Sequence, residues 1–406
     1  MRWRLRRKLL DKKRVTVHGK RGQVERTGSY RYAPSMSKMR PVQVASSQGV
    51  TADPFGSHRA LSPVGSLPQA AETLDNDFTR LYSGEMLVAV ETLNIDAASF
   101  RQMEETADDA SAVADGSAVA SRVIATVRAR GKQHNPATGS GGMLLGRVLQ
   151  LAEGRSGDSV RVGDRIATLV SLSLTPLRID RVYAVRRASA QMDVEGEAVV
   201  FPSGAYVQVP TDLPESLALA VLDVAGAAPQ VARLVRRGQR ESSVPLTILV
   251  LGAGGKSGIL CAAEARRTGG KSARLLGLES SPRFAAELGE LRLCDDVIVA
   301  DARDPLAVRR AVLAANGGRE VDLAVSCVNV PNAEMAAILC ARDGAVVYFF
   351  SMSTSFTRAA LGAEGASKDV DLMIGNGFAI GHAEHTLEMM RSMAGVRSLF
   401  ERRYAK

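Results

Sequence analysis

The chain has 406 residues, of which 46% are hydrophobic and 23% are charged. This length and balance predict two or three globular domains and exclude fibrous and wholly disordered proteins. No window approaches the roughly 20 uninterrupted apolar residues of a membrane helix. Aromatic residues make up only 4% of the chain, which disfavours a platform that stacks nucleic-acid bases.

The positive charge is concentrated at one end of the chain. Residues 1–40 contain 14 of the 52 basic residues and 2 of the 43 acidic ones, so the remainder is mildly acidic despite the net charge of +9. Such a tail either binds RNA or an anionic surface, or is a dispensable extension. The first ten residues lack the apolar stretch of a secretory signal. We expect residues 1–53 to be a disordered extension and lead-in, with neither nucleic-acid nor membrane binding.

Cysteine usage indicates a reducing compartment. The four cysteines, Cys261, Cys294, Cys327 and Cys340, form no CxxC pair. A structural zinc site of the usual cysteine type is therefore not expected. Because a secretory signal is also missing, we expect buried, reduced thiols in a cytoplasmic protein.

The first half of the folded body has the pattern of a β domain, which we assign to residues 54–215. Short strands are predicted at residues 86–93, 146–151, 165–172, 178–185 and 198–201. Proline, glycine and aspartate separate these strands, as is typical of all-β domains. A helical insertion interrupts the pattern at residues 104–131, where apolar residues at helical spacing predict one helix with an acidic leading segment.

From residue 216 the pattern alternates between helix and strand. Helices are predicted at residues 217–236, 257–267, 282–288, 306–315 and 333–341. Strands are predicted at residues 246–251, 273–278, 296–300, 321–327 and 345–350. This alternation predicts an α/β fold with a doubly wound parallel sheet over residues 216–375. Pro229 is expected to kink or split the first of these helices.

The most informative motif is GAGGKSG at residues 252–258, which follows an apolar strand and opens a predicted helix. Gly252 permits a tight turn, and Gly254 allows the backbone to approach a pyrophosphate. The N-terminus of the helix then offers free N–H groups to the phosphates. The motif therefore predicts a dinucleotide-binding loop. Its candidate cofactor-binding residues are Gly252, Gly254, Gly255, Lys256, Ser257 and Gly258.

Three further positions complete the predicted cofactor site. Glu279 ends the next predicted strand, 27 residues after Gly252. A carboxylate at that place accepts hydrogen bonds from the adenosine ribose and repels a 2′-phosphate, so NAD is favoured. Arg283 lies close by in the sequence, and its positive charge weakens the preference for NAD, so NADP is kept as an alternative cofactor. Asn329 and Ser351 follow two later strands, at the carboxyl ends where open α/β sheets bind their ligands.

Five polar side chains outside the motif are candidates for the chemistry. Asn94 and Asp96 directly follow a predicted strand, and Asp96 is either a helix cap or a pocket carboxylate. His134 lies in a glycine-rich loop, either as a site residue or as a hydrogen-bonder that stabilises the loop. Asp223 interrupts an apolar helix, where a buried acid is either satisfied structurally or faces a ligand. Glu364 belongs to a loop region on the rim of the predicted pocket.

A metal site is not expected. His382 and His385 are three residues apart on a predicted helix, but no further ligands are obvious nearby in the sequence. We expect this pair to lie on a solvated helix face.

The order of these parts resembles the medium-chain dehydrogenase/reductase superfamily. The segments TGSGGMLLGRV at residues 138–148 and VRVGDRI at residues 160–166 carry the resemblance. It implies a GroES-like β domain, a Rossmann domain, and a C-terminal return of residues 376–406 to the β domain. Zinc-dependent members hold their metal with a cysteine and a His/Glu pair. This chain has Asn94-Ile-Asp96 and Ser140-Gly-Gly at those places, so it resembles a zinc-free member.

Within that superfamily, the chain is similar to the L-erythro-3,5-diaminohexanoate dehydrogenase family from about residue 54 to 392. The similar segments are PFGSHR (54–59), VETLNIDAASF (90–100), HNPATGSGGM (134–143), VSLSLTPL (170–177), ADARDP (300–305), CVNVP (327–331) and FFSMSTSF (349–356). The resemblance implies NAD-dependent oxidative deamination of L-erythro-3,5-diaminohexanoate to (S)-5-amino-3-oxohexanoate and ammonia, a step of lysine fermentation. We also expect a homodimer.

That chemistry requires a base for the reacting ammonium group and carboxylates for the second one. We assign the base to Asp223 or His134 and the ammonium-holding role to Asp96, with Glu364 as the next candidate for the base. A metal is not needed, because an iminium already carries the positive charge that a Lewis acid would induce. Two alternatives remain open: a zinc-free quinone or enoyl reductase that uses NADPH, and an RNA-binding protein with a nucleotide-binding fold.

Overall fold

The structure of the protein, a computed structural model, describes residues 52–155 and 159–405 together with the backbone of the strand Gln43–Val44. Nearly all of the basic segment 1–53 lies outside the described residues, so its expected disorder and dispensability stay predictions. The described part folds around two six-stranded sheets and two short strand pairs.

The first large sheet is antiparallel. Four short strands precede it: Gln43–Val44 (β1), Ala60–Ser62 (β2), Thr73–Leu74 (β3) and Arg80–Leu81 (β4). The strands of the sheet are Met86–Asn94 (β5), Met143–Leu151 (β6), Arg165–Thr168 (β7), Leu177–Arg186 (β8), Gln191–Val200 (β9) and Tyr206–Gln208 (β10). They lie in the order β10-β7-β6-β5-β9-β8. The strand β5 lies between β6 and β9, its last residue Asn94 is buried, and Asp96 follows two residues later.

The helical insertion consists of three helices and not of one. They are Ala97–Glu105 (α1), Ala110–Ala114 (α2) and Ser117–Arg130 (α3). The acidic residues that were expected to lead a single helix instead divide it. Asp109 accepts a hydrogen bond from the backbone N–H of Ser111, and Asp115 accepts one from that of Ser117. Aspartate competes with helical hydrogen bonding in this way, so it begins new helices within an alanine-rich segment.

A broken helix links the two sheets. It consists of Glu215–Leu222 (α4) and Ala227–Glu241 (α5). The split expected near Pro229 is present, but the break precedes the proline, which lies in the first turn of α5, where a missing N–H costs no helical hydrogen bond. Among the described residues no single helix is long and apolar enough to cross a membrane, and only this bent pair reaches that threshold by length and composition.

The second large sheet is parallel and doubly wound. Its strands are Thr247–Leu251 (β11), Arg274–Glu279 (β12), Asp296–Val299 (β13), Val321–Ser326 (β14), Ala341–Phe349 (β15) and Asp371–Ile374 (β16). The helices between them are Lys256–Gly269 (α6), Pro282–Glu290 (α7), Pro305–Ala315 (α8), Glu334–Cys340 (α9) and Phe356–Gly365 (α10). The order β13-β12-β11-β14-β15-β16 is the Rossmann order 3-2-1-4-5-6. The α/β fold class expected from the sequence is confirmed.

The central strand β11 explains why this part of the sequence is so apolar. Ile248 and Val250 pack into the hydrophobic core on one face of the sheet, and Leu249 and Leu251 pack into the core on the other. A strand buried on both faces is a nearly continuous apolar run, and the one polar residue of β11 is its first, Thr247. The strand ends, in the middle of the sheet, at the glycine motif.

The C-terminal segment forms two helices, His382–Ser392 (α11) and Ala394–Tyr404 (α12). Residues of both helices, such as Leu387 and Phe400, share a core with Leu217 of α4. The hydroxyl of Thr386 donates to the carbonyl of Ala225 at 3.0 Å. The segment therefore packs on the linking and nucleotide-domain helices, and in the described residues it adds no strand to the antiparallel sheet.

Candidate active site

The glycine motif forms a loop that fits a dinucleotide. Gly252 has φ of +70°, a conformation that favours glycine. A Cβ atom at Gly258 would lie 2.0 Å from the carbonyl oxygen of Gly252, so α6 packs this closely on the loop only because glycine is present. Lys256 and Ser257 begin α6, and the N–H groups of a first helical turn have no partners within the helix. The loop therefore offers close backbone approach and free donors to a pyrophosphate.

Glu279 supports the same loop from the end of β12. Its Oε2 accepts a hydrogen bond from the backbone N–H of Gly254 at 3.0 Å, and its Oε1 accepts one from that of Ser281 at 3.0 Å. A Cβ atom at Gly254 would lie 2.7 Å from Oε2 of Glu279. Glu279 is only 7% exposed. The carboxylate thus lies where a ribose hydroxyl bound at the loop would meet it.

Asn329 and Ser351 come together at the rim of the parallel sheet. Oδ1 of Asn329 accepts hydrogen bonds from the hydroxyl of Ser353 at 2.9 Å and from that of Ser351 at 3.4 Å. They follow β14 and β15, and β14 is the direct neighbour of β11. A Cβ atom at Gly252 would lie 3.0 Å from the backbone of Cys327, so the ends of β11 and β14 are adjacent. The polar rim therefore lies beside the glycine loop.

Asp223 and Lys256 form an ion pair between the linking helix and the glycine motif. Asp223 is the C-terminal cap of α4, and its Oδ2 lies 3.5 Å from Nζ of Lys256. The two side chains are 12% and 11% exposed. Burial raises the pKa of Asp223 and the charge of Asp96 raises it further, whereas Lys256 and the amide of Asn94 act to lower it. The sequence predicted that Lys256 binds the cofactor, and in the structure its side chain contacts Asp223, the candidate base.

Two polar side chains beside Asp223 have atoms without partners. Asn94 is fully buried, and its Oδ1 accepts a hydrogen bond from Nε2 of Gln191 at 3.2 Å. Asp96 caps α1 through Oδ1, which accepts from the N–H of Ser99 at 2.9 Å. Within the described residues, Nδ2 of Asn94 and Oδ2 of Asp96 are buried and have no hydrogen-bond partner. Asp96 is therefore a helix cap that still has one carboxylate oxygen free for a ligand.

His134 lies on the glycine-rich loop that covers this end of β5. A Cβ atom at Gly142 would lie 2.1 Å from the carbonyl oxygen of Asn94, so only glycine allows the loop to lie this close. Nδ1 of His134 is buried and has no partner among the described residues. Burial lowers the pKa of His134, and the charges of Lys132 and Arg130 lower it further. The lowered pKa favours the unprotonated ring.

The last turn of α12 contributes two residues that the sequence analysis missed. Arg403 donates a hydrogen bond from Nη1 to the carbonyl oxygen of Gly254. Its guanidinium carbon lies 4.1 Å from the centre of the Phe284 ring. The ring of Tyr404 faces Nζ of Lys256, 5.3 Å from the ring centre. No motif surrounds these residues, and Arg403 follows Gly254 by 149 positions, so no local signal indicates the contact.

Glu364 takes no part in this arrangement among the described residues. It is an exposed residue at the end of α10, whereas Asp223 and Lys256 are nearly buried.

The described residues contain no group of three or more His, Cys, Asp or Glu side chains that could hold a metal ion. The cysteines are free thiols, three of them buried, and burial raises the pKa of Cys294 and Cys340 to about 12.

The expectation of a solvated face for the two C-terminal histidines is wrong. His382 is 3% exposed, packs edge-on against Phe378 with ring centres 5.0 Å apart, and has its pKa lowered by burial. Nε2 of His385 lies 3.1 Å from Oε2 of the buried Glu264. His382 is buried and His385 is half-buried, because α11 packs onto the helices of the nucleotide domain. Neither contacts the Asp223–Lys256 pair.

Fold and site together define an oxidoreductase that uses a nicotinamide dinucleotide. Residues 58–210 match the family model of the L-erythro-3,5-diaminohexanoate dehydrogenase N-terminal domain. The L-erythro-3,5-diaminohexanoate dehydrogenase of Acetoanaerobium sticklandii is 48% identical over 351 residues, which cover 86% of this chain and 98% of the relative. The enzyme of that name from Fusobacterium nucleatum is 44% identical over 351 residues, which again cover 86% of this chain and 98% of the relative. The chain belongs to the L-erythro-3,5-diaminohexanoate dehydrogenase family, as its motifs predicted.

Solved structures with a comparable arrangement are more distant. A mycobacterial quinone oxidoreductase is 15% identical with a TM-score of 0.48, covering 79% of this chain and 88% of that chain. The CurK enoyl reductase is 12% identical with a TM-score of 0.45, covering 79% of this chain and 78% of that chain. The family assignment rests on the sequence relatives and not on these likenesses.

Proposed function

We propose that this protein catalyses the NAD-dependent oxidative deamination of L-erythro-3,5-diaminohexanoate to (S)-5-amino-3-oxohexanoate and ammonia, as a step of lysine fermentation. The observation that carries the proposal is the cluster of Asp223, Asp96 and Asn94 beside the glycine loop. The cluster occurs in a chain whose relatives are named L-erythro-3,5-diaminohexanoate dehydrogenase. The bound nicotinamide supplies the acceptor for the hydride that leaves C3 of the substrate.

The two carboxylates suit a substrate with two ammonium groups. A buried carboxylate oxygen without a partner is costly, and Oδ2 of Asp96 is such an atom. An ammonium group placed there offsets that cost with a charge-assisted hydrogen bond. Asp96 therefore holds an ammonium group of the substrate, while the amide of Asn94 lies beside the carboxylate of Asp223.

Asp223 is the favoured base. Removal of a proton from the reacting ammonium requires a group whose pKa approaches the working pH, and burial raises the pKa of Asp223 in that direction. Asp223 also lies next to Lys256, the first residue after the glycine loop, and so beside the bound cofactor. His134 is the alternative, because its lowered pKa keeps a ring nitrogen free to accept a proton at neutral pH.

The preference for NAD over NADP follows from Glu279. Its carboxylate is held against the glycine loop by the N–H of Gly254, where it accepts hydrogen bonds from ribose hydroxyls and repels a 2′-phosphate. Arg283 is the cation that kept NADP as an alternative cofactor in the sequence analysis. It pairs with Glu287 at 3.1 Å and projects into solvent. The geometry therefore supports NAD.

The proposal is tested by coupled assays on the purified full chain. NAD reduction and ammonia release are both followed with L-erythro-3,5-diaminohexanoate, and then with other β-amino acids, diamines, alcohols, quinones and enones. We expect one ammonia per NADH, and turnover only with the diamino acid or close analogues. Reduction of a quinone or enone by NADPH, without amine oxidation, would support the reductase alternative instead.

Three expectations from the sequence are part of the same proposal. We propose a cytoplasmic homodimer, which light scattering after size exclusion tests as a mass of twice 43.1 kDa. We also propose that residues 1–38 are dispensable for turnover. A chain that begins at Met39 should retain the activity of the full chain, and its affinity for RNA should be equally low at two salt concentrations.

A further inference from the structure

Lys256 connects the start of α6 to the end of α4. It is the first residue of α6, and the positive end of a helix opposes a cation there. Its Nζ lies 3.5 Å from Oδ2 of Asp223, with a side chain only 11% exposed. The amine is therefore directed to the carboxylate that the proposed function uses as its base.

The two groups that face this amine come from separate elements. Asp223 faces it from the end of α4, and the ring of Tyr404 faces it from α12 at 5.3 Å. Asp96, at the start of α1, acts electrostatically on Asp223, and the amide of Asn94 lies beside the same carboxylate. The amine is thus held between an acid and an aromatic ring, and it can exchange a proton with a molecule bound beside Asp223.

Oxidative deamination needs more than one proton-transfer group. The first step places the ammonium proton on a base, and hydride loss leaves a C3 iminium. Hydrolysis of that iminium then needs a second group, an acid that gives a proton to the departing nitrogen while a base takes one from water. We propose that Lys256 is this second group and serves the hydrolytic half of the reaction. The inference rests on the proposed function.

Asp223 takes one proton from the C3 ammonium and releases it to solvent. After hydride loss, the oxygen of water forms a bond to C3, the C=N pair of electrons moves to nitrogen, and Asp223 takes a water proton. The ammonium of Lys256, the charged partner of Asp223, then gives a proton to the nitrogen, and the C3–N bond breaks. As the C3–O bond becomes the ketone, Lys256 takes the hydroxyl proton back, and the departing ammonia receives the water proton from Asp223 and leaves as ammonium.

The test separates the two halves of the reaction in Lys256→Met. Stopped-flow absorbance measures the first turnover of NADH, and ammonia release measures complete turnover. We expect an NADH burst within about threefold of wild type, and complete turnover that is slower by roughly 10²–10⁴-fold, the usual cost of losing a proton-transfer group. Quenching with cyanoborodeuteride should then recover a 3,5-diamino acid with deuterium at C3, since the iminium accumulates.

Two further variants make the interpretation specific. Lys256→Arg keeps the positive charge but cannot give up its proton, so it should fail as Lys256→Met does. Lys271→Met removes an exposed lysine just beyond the other end of α6 and should behave as wild type. NAD affinity, measured by fluorescence without substrate, should change less than turnover in every variant.

Three results would overturn the inference. Lys256→Met could complete turnover at the wild-type rate, the burst and turnover could fall by the same factor, or Lys256→Arg could restore turnover and so show a purely electrostatic role. Failure of the proposed function is a different result, because the wild-type protein would then produce neither NADH nor ammonia from the diamino acid.

Discussion

The guanidinium of Arg403 donates a hydrogen bond to the backbone carbonyl of Gly254, which joins the last helical turn of the protein to its cofactor loop. The same guanidinium lies on the ring of Phe284 and pairs with Glu287, and its side chain is only 7% exposed. Gly254 is therefore held from both sides: its N–H by Glu279 and its carbonyl by Arg403.

Arg403→Ala should weaken NAD binding because the loop loses one of these two restraints. We expect the dissociation constant to rise about tenfold, equivalent to ~1.4 kcal/mol. Isothermal titration of NAD measures it. Arg402→Ala is the matched control, since Arg402 is exposed and donates to the hydroxyl of Ser398 in the preceding turn. Equal affinities in the two variants would show that α12 does not position the loop.

Gly254→Asp should abolish NAD binding. A Cβ atom there would lie 2.7 Å from Oε2 of Glu279 and 2.8 Å from Cβ of Phe284, and the new carboxylate would meet both Glu279 and the pyrophosphate. Gly289→Asp, at a position where a Cβ meets nothing within 4 Å, is the control. NAD titration should detect no binding to the first variant and normal binding to the second. Retained affinity in Gly254→Asp would contradict the dinucleotide site.

Glu279→Gln should reduce the discrimination between NAD and NADP. The amide keeps the size of the side chain but loses the charge that repels a 2′-phosphate. We expect NAD affinity to fall by about 1–3 kcal/mol, as for one charge-assisted hydrogen bond, and NADP affinity to fall less or rise. The exposed Glu290→Gln is the control. A wild-type protein that already prefers NADP would show that Glu279 does not have the ribose role.

The parallel sheet was predictable from the sequence, but the assembled site was not. The nearly continuous apolar run of β11 and the glycines after it carry a strong local pattern, because a strand buried on both faces is predominantly apolar. The three-helix insertion was missed because the capping by Asp109 and Asp115 resembles an acidic helix start. The pairing of Lys256 with Asp223 joins residues 33 positions apart. They meet because α12 packs against both α4 and α6.

The raised pKa of Asp223 predicts how stability depends on pH. Its ordinary value is 3.8, so the stabilising contribution of the protonated carboxyl is complete below about pH 4 and is lost as the pH rises through the raised folded-state value. The free energy of unfolding of wild type, relative to that of Asp223→Asn, should therefore fall as the pH increases above about 4. Urea denaturation at a series of pH values measures this difference. A pH-independent difference would show that Asp223 titrates normally in the folded protein.

The central claim is that Asp223 removes the proton from the reacting ammonium, and the turnover of Asp223→Asn with L-erythro-3,5-diaminohexanoate tests it most directly. The account predicts a rate lower by roughly 10²–10⁴-fold across the pH range, the usual cost of losing a general base. NAD affinity should stay near wild type, and Asp301→Asn, a change at a surface aspartate bonded to Arg303, should have no effect. Near wild-type turnover with an unchanged pH profile would contradict the account and transfer the role of base to His134.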